Sequence, residues 1–359
     1  MKVAILGAGG VALGTAAWLC TRGVEAVLWS PSGRSLTALA GGKPLTATGA
    51  LEGTFHPGVA ASVEEAVDSA DVVLVALPAY AHAMAFEAVA PHLTNNHVVA
   101  ISSHASFGAL ALARRLAARG LAPPIVAWGT TLTAGRRKGE DTVAVSTVRK
   151  SVDVGALPKS AAPAALDTLI AAFGDHFRPR DGVLAIALSN LNPQNHLAIA
   201  LCNYTRMEQG ESWKQAEHIP AGVGRLMEAL DAERLAIADA FGVETRTIFD
   251  HFSLSYHLEK APVSEMYAAL LARGGGAMGP TTADTRYVTE DVPYGLVPTA
   301  WLGALVGRPA VLHDAGTALF SAIYGRDFVT ENDLLDAAGV RDLHPDALRR
   351  LCDEGVPIS

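Results

Sequence analysis

From Lys2 to Trp128 the chain alternates short, almost unbroken apolar runs with Ala-rich stretches in which apolar residues recur every three or four positions. The runs Lys2 to Leu6, Glu25 to Trp29, Val72 to Leu77, Val98 to Ser102 and Pro124 to Trp128 are rich in Val, Ile and Leu and predict strands. Between them, Gly10 to Arg22, Val63 to Ser69 and Phe107 to Ala118 predict helices. Continuous apolar strands joined by helical crossovers belong to a parallel sheet covered on both faces. The first part of the chain, residues 1–181, is therefore expected to be an α/β Rossmann-type domain with a doubly wound parallel sheet.

Past residue 142 the pattern changes, first to a short β-like piece (Thr142 to Val148) and then to a helix near Ala162 to Phe173. From Leu184 on it is helical, with long stretches at Leu184 to Leu201, Val223 to Phe241, Ser264 to Leu271 and Ala310 to Tyr324. An all-α helical domain over residues 182–359 is predicted to follow, with a soft boundary near 181. No internal repeat or low-complexity linker marks the junction.

At 359 residues the chain is long enough for two cores. Half of it is apolar and 18% is charged, a globular balance, and the net charge of -8 gives no footprint for nucleic acid or an anionic membrane. The apolar stretch from Val72 to Phe86 contains Pro78 and His82 and is shorter than the ~20 residues of a membrane span, so no membrane helix is expected. The early apolar run is interrupted by Gly7, Gly9, Gly10 and Gly14, which argues against an export signal. Cys20, Cys202 and Cys352 are odd in number and far apart, with no metal-binding spacing. A cytoplasmic protein without a metal fits these features, and a homodimer is allowed.

Gly7-Ala8-Gly9-Gly10-Val11-Ala12 follows the first predicted strand and opens the first predicted helix. This is the context of the dinucleotide fingerprint: Gly7 for the tight turn, Gly9 for backbone approach to the pyrophosphate, Ala12 for close helix packing, and the amides of Gly10 and Val11 at the positive end of the helix dipole. The second strand runs into Ser30-Pro31-Ser32-Gly33-Arg34. An NAD enzyme usually carries an acid at the Ser30 position to bind the ribose 2′-hydroxyl. Here Ser30 and Ser32 can donate to a 2′-phosphate and Arg34 can pair with it, so NADP is expected over NAD. Pro78, at the carboxyl end of what reads as the fourth strand, is expected to line the nicotinamide side.

Two further segments lack the pattern of a core element. Ser189-Asn190-Leu191-Asn192-Pro193-Gln194-Asn195-His196 holds three asparagines and a histidine, and on a helix Asn192 and His196 share a face. The stretch from Gly279 to Pro298 has neither helical nor strand periodicity and carries Arg286, Asp284, Glu290 and Asp291. Read from its residues alone, it is either a surface loop whose charges pair with one another or part of a site.

The run Arg286-Tyr-Val-Thr-Glu-Asp-Val-Pro-Tyr-Gly-Leu-Val-Pro resembles the signature segment of the octopine and nopaline dehydrogenase family, the opine dehydrogenases. The resemblance extends to the glycine fingerprint, the Asn-rich string and the helix Asp231-Ala-Glu-Arg-Leu-Ala-Ile-Ala. It implies a reaction in which an amino acid and a 2-oxo acid condense to an imine that a nicotinamide cofactor reduces. It also implies His196 as general acid/base, Asp291 as the carboxylate that orients it, and Arg286 with Asn192 as substrate-binding residues. A histidine suits proton exchange near neutral pH, and a guanidinium suits a carboxylate. The spacing from Arg286 to Asp291 puts them on no common face, so their convergence follows from the resemblance only. Ser102-Ser103-His104-Ala105-Ser106 stands where relatives have a Pro-Gly-rich turn, and the 129–137 loop matches loosely. Two alternatives remain: a reductase acting on a 2-oxo acid alone, and a non-catalytic NADP-binding sensor.

Overall fold

The computed structural model describes residues 1–358. It divides into two compact units, one formed by Met1–Ala187 with Leu334–Asp342 and the chain from Asp346 on, the other by Leu188–Asp333 with Leu343–Pro345. The strands, all in the first unit, are β1 (Lys2–Leu6), β2 (Glu25–Trp29), β3 (Leu45–Gly49), β4 (Gly53–Phe55), β5 (Gly58–Val59), β6 (Val72–Val75), β7 (Val98–Ile101), β8 (Ile125–Trp128), β9 (Thr133–Arg137), β10 (Thr142–Val148), β11 (Val152–Leu157) and β12 (Phe177–Pro179).

Eight of these form the main sheet, in the order β12-β11-β8-β7-β6-β1-β2-β5. Its pairings are parallel except β11 with β8. The central strands are apolar because both faces are covered: every residue of β6, β7 and β8 is buried. The first helix, α1 (Gly10–Thr21), crosses over between β1 and β2, so its N-terminus opens at the carboxyl end of β1.

The strand that leads into Pro78 is the sixth in chain order, because β3, β4 and β5 come between it and β2. β3 and β4 join β9 and β10 in a second sheet, ordered β4-β3-β10-β9, of which only β10 was anticipated. Leu45-Thr-Ala-Thr-Gly and Thr133-Ala-Gly-Arg-Arg are short, small-residue and half polar, so they carry little strand signal. What holds this sheet is contact with α1. Thr15 and Thr133 share a buried hydroxyl hydrogen bond of 3.0 Å. Gly10 and Gly135 approach so closely that a Cβ on either would lie within 2.2 Å of the other's carbonyl oxygen.

The second unit was expected to run to the end of the chain. Instead, residues from Leu334 in the helix Asp333–Ala338, and most of the helix Pro345–Glu354, belong to the first unit. Arg114 Nε donates to Ala338 O at 3.0 Å, and Leu348 and Cys352, one turn apart, are fully buried. An amphipathic helix announces that it has a buried face, not which core receives it.

In the second unit the predicted helix from Leu184 to Leu201 breaks at Asn190 and Leu191 into Gly182–Ser189 and Asn192–Cys202. Pro193 sits in the first turn of the new helix, where a missing amide costs nothing. The long helix Ala221–Ala240 carries a buried ion pair that ties four segments together. Arg234 Nη2 donates to Asp231 Oδ1 at 2.6 Å and to Arg246 O at 2.6 Å, and its Nη1 donates to Leu188 O at 2.5 Å. Asp231 also accepts from the Ile248 amide at 2.8 Å and from Gln194 Nε2 at 3.3 Å.

Both ion-pair side chains are 3% exposed or less, so removing one partner strands a buried charge. Asp231→Ala should therefore lower the unfolding free energy by about 3–5 kcal/mol. Urea denaturation checks this, and a loss below about 1 kcal/mol would show that Arg234 finds another partner.

Candidate active site

The glycine fingerprint has the shape that a pyrophosphate requires. Gly7 has φ +143°, a region closed to other residues, and a Cβ there would lie 2.5 Å from Ala76 O at the end of β6. A Cβ on Gly9, by contrast, would meet nothing within 4 Å, so the backbone faces open space. The start of α1 has no side-chain cap and no acid in its first turn, which leaves its leading amides available to an anion. Ala12 is fully buried beneath the turn, and the Val11 carbonyl accepts from Thr133 Oγ1 at 3.3 Å.

Ser30 to Gly33 form a tight turn closed by a 2.9 Å bond from the Gly33 amide to Ser30 O. Ser32 and Arg34 are exposed on it. Among the described residues no carboxylate pairs with Arg34. Arg137 was not anticipated: its Nη1 donates to Ala8 O at 3.0 Å and its Nη2 to Ser35 O at 2.7 Å, locking the fingerprint loop to the turn after β2. Its only trace in the sequence is the Arg136-Arg137 pair in the loosely matching 129–137 loop. Pro78 continues extended beyond β6 and opens the turn Ala79–Ala81, as a strand-ending residue would.

The unusual segment after β7 is strained and closed. Ser103, Ser106 and Phe107 all take left-handed φ values of 61°, 49° and 58°. His104 and His82 are buried beside it, 2% and 0% exposed. His104 Nε2 accepts from the Ala109 amide at 3.2 Å, and His82 Nε2 faces Leu77 O at 3.0 Å. Burial holds the His82 pKa down to about 4 and, with a contribution from His82, that of His104 to about 3.

On the second unit the two polar segments meet. His196 Nδ1 lies 2.6 Å from Asp291 Oδ2, with the side chains 12% and 15% exposed. The carboxylate accepts from Nδ1–H, so in the neutral form of the ring the lone pair is on Nε2. Asp291 precedes a π-helical turn, Val292–Leu296, a form frequent at functional sites. A Cβ on Gly295 would lie 2.2 Å from Pro193 Cγ, so only glycine lets this turn approach the His196 helix. Asn332 Nδ2 donates to Pro293 O at 2.7 Å and Tyr294 OH to Asp333 Oδ1 at 3.0 Å, holding the turn from behind.

Asn192 is exposed one helical turn before His196. Arg286 is exposed at the start of the short helix Arg286–Thr289, and among the described residues it pairs with no carboxylate. The surface-loop reading, in which these charges pair with one another, loses its main support. Tyr287 and Gln215, not singled out from the sequence, complete the surroundings of His196: the Tyr287 ring stacks on the imidazole, and Gln215 bonds the Tyr287 hydroxyl.

A Rossmann sheet with a glycine cradle and a helical unit carrying a His-Asp pair define a nicotinamide-dependent oxidoreductase. Residues 179–324 match the family described as NAD/NADP octopine/nopaline dehydrogenase, alpha-helical domain, and residues 3–159 match ketopantoate reductase PanE/ApbA. The chain is 31% identical over 351 residues to the opine dehydrogenase of Arthrobacter sp. (strain 1C), covering 96% of this chain and 97% of that one. It is 27% identical over 318 residues to protein ocs of Agrobacterium tumefaciens (strain Ach5), covering 85% and 86%. Among solved structures, octopine dehydrogenase with NADH and agmatine superposes with a TM-score of 0.81 at 18% identity, covering 97% of each chain. NADP+-bound yersinopine dehydrogenase gives 0.71 at 15% identity, covering 96% and 98%. The chain belongs to the opine dehydrogenase family and is an NAD(P)-dependent oxidoreductase acting on CH-NH donors.

The buried histidines set a pH dependence of stability. Their folded pKa values lie below the ordinary 6.5, so between pH 6.5 and about 4 the unfolded chain binds protons that the folded chain refuses. Stability should be full above pH 6.5 and fall by roughly 1.4 kcal/mol per pH unit for each histidine as the pH drops through that window. Urea midpoints at pH 7.5, 6 and 5 check this. A flat profile from 7.5 to 5 would mean that the rings are charged or accessible in the folded state.

Proposed function

We propose that the enzyme condenses an amino acid with a 2-oxo acid and reduces the imine with NADPH, releasing water and an N-(1-carboxyalkyl)amino acid. It works as a cytoplasmic protein on small-molecule substrates, and homodimerisation is compatible with this role. The observation that carries the reading is the His196–Asp291 pair with Arg286 free of acids on the segment that supplies Asp291.

In this mechanism Arg286 holds the 2-oxo acid carboxylate through two of its guanidinium nitrogens, and Asn192 donates a hydrogen bond to the same substrate. His196 Nε2 takes a proton from the ammonium of the amino acid, freeing the lone pair that forms the new C–N bond. The imidazolium so formed, stabilised by Asp291, returns the proton to the carbinolamine hydroxyl, which leaves as water. Fixed on Nδ1 by Asp291, the ring keeps Nε2 for this exchange throughout. A reduced nicotinamide, when bound, would supply the hydride for the imine carbon. The amides at the start of α1 and the open backbone at Gly9 suit its pyrophosphate, with Gly7, Gly10, Val11 and Ala12 shaping the turn.

The preference for NADP rests on this chain's own residues, because structures similar to it carry NADH in one case and NADP+ in another. No acid stands at Ser30 to repel a 2′-phosphate, while Ser30, Ser32 and an acid-free Arg34 can bind it. Pro78, extended past the carboxyl end of β6, is assigned to the nicotinamide side on the same reading. The three free cysteines fit a reducing compartment, and among the described residues no helix is long and apolar enough to cross a membrane.

Initial rates with NADPH and NADH, with each substrate alone and with both, test the reading. NADPH should be consumed only when amino acid and 2-oxo acid are both present, with kcat/KM higher than for NADH. Consumption with the 2-oxo acid alone supports a simple reductase, and none with any pair supports a cofactor sensor. Preference for NADH overturns the role given to Arg34.

A further inference from the structure

His196 has a second partner besides Asp291. The Tyr287 ring lies face to face with the imidazole, ring centroids 3.5 Å apart and planes 8° from parallel. Aromatic rings left to themselves favour offset or edge-to-face arrangements at 4.5–7 Å, so a contact this close and parallel needs to be held.

Gln215 holds it. Its Nε2 donates to the Tyr287 hydroxyl at 2.7 Å and contacts Met278 O at 3.2 Å. The Gln215 amide donates to Ala277 O at 2.9 Å, and two residues earlier Trp213 Nε1 donates to Pro280 O at 2.9 Å. Gln215 is 6% exposed, so its side chain has no solvent to turn to. Burial pushes the Tyr287 phenol up from its ordinary value, so the hydroxyl stays protonated at neutral pH and accepts from Gln215 as a neutral group.

The consequence is geometric. The bond to Asp291 fixes Nδ1 at one point but allows the imidazole to tilt about it. A ring pinned at its far end and laid flat on the imidazole removes that freedom. Its electron-rich face also suits the imidazolium that forms while His196 carries a substrate proton.

We infer that Tyr287, tethered by Gln215, is a positioning residue that sets the plane of the His196 ring for proton transfer. This rests on the reading of His196 as the acid/base. Tyr287 touches neither proton nor substrate in this role. Misplacing a reacting group by about 1 Å can cost up to 10²-fold in rate, so loss of the stacked ring should reach kcat rather than binding.

The test compares Tyr287→Leu, Tyr287→Phe, Gln215→Leu and the last two combined, with His196→Asn as control. Tyr287→Leu should lower kcat about tenfold or more while KM for both substrates and for NADPH stays within about threefold. Tyr287→Phe keeps the stack without the tether and should recover most of the loss. Gln215→Leu should match it, and the combination should be no worse than either, because both remove one interaction. In the wild type, the His196 ring protons, assigned by their disappearance in His196→Asn, should resonate upfield from the Tyr287 ring current and move back in Tyr287→Leu. If Tyr287→Leu turns over within about twofold of wild type while His196→Asn loses activity, Tyr287 is packing only and the acid/base reading survives. If His196→Asn itself keeps wild-type turnover, that reading falls and the positioning role falls with it. Should Tyr287→Leu not fold, wild-type ring protons without an upfield shift, or Tyr287→Phe and Gln215→Leu both at full kcat, would equally overturn the inference.

Discussion

The 2.6 Å bond between His196 Nδ1 and Asp291 Oδ2 joins segments 95 residues apart, and much of the second unit can be understood as the means of making it. A histidine on a helix and an acid on an irregular turn reach that distance only if the turn comes almost into backbone contact with the helix. The Gly295–Pro193 approach permits this, because any side chain at 295 would overlap the proline ring. The π-helical turn then aims Asp291 at the imidazole, while Asn332 and Tyr294 fix its far side. In the proposed mechanism proton chemistry is thus built on rigid elements, which keeps the reacting nitrogen within the tolerance that catalysis demands.

Behind the His196 helix, the Asp231–Arg234 pair extends the same constraint into the core. Gln194, two residues before His196, bonds Asp231, and Arg234 reaches back to Leu188 before the helix begins. The buried charges are satisfied from four directions, so the pair acts as a junction that sets where the helix starts. The break at Asn190 and Leu191, which turns one predicted helix into two, is what starts a new helix one turn before His196, with Asn192 exposed at its first position.

The main sheet was legible because strands covered on both faces must be apolar throughout, as Val72–Val75 and Val98–Ile101 are. The second sheet was not, since β9 is placed by contact with α1 and β4 by pairing with β3, and β3, β4 and β9 show no strong pattern of their own. At the site, the Asn-rich string stood out by being polar and the Gly279 to Pro298 stretch by its lack of periodicity, although Val292 to Pro298 are buried. The meeting of His196 with Asp291 could not be derived from spacing and came from family resemblance. Tyr287 and Gln215 escaped because an aromatic and an amide are ordinary core-edge residues until tertiary structure brings one over a histidine. Arg137 escaped for a related reason: it bonds backbone carbonyls, which leave no mark on sequence.

In the proposed mechanism Asp291 makes His196 a proton shuttle by holding its tautomer and stabilising its charged form. Steady-state turnover of Asp291→Asn, with NADPH binding measured in parallel by fluorescence, tests this most directly. The account predicts a folded protein with NADPH affinity unchanged and kcat lowered by ~10² or more, as loss of the orienting acid of a triad does. Turnover within a few fold of wild type would contradict it, and would make the His196–Asp291 bond a structural contact.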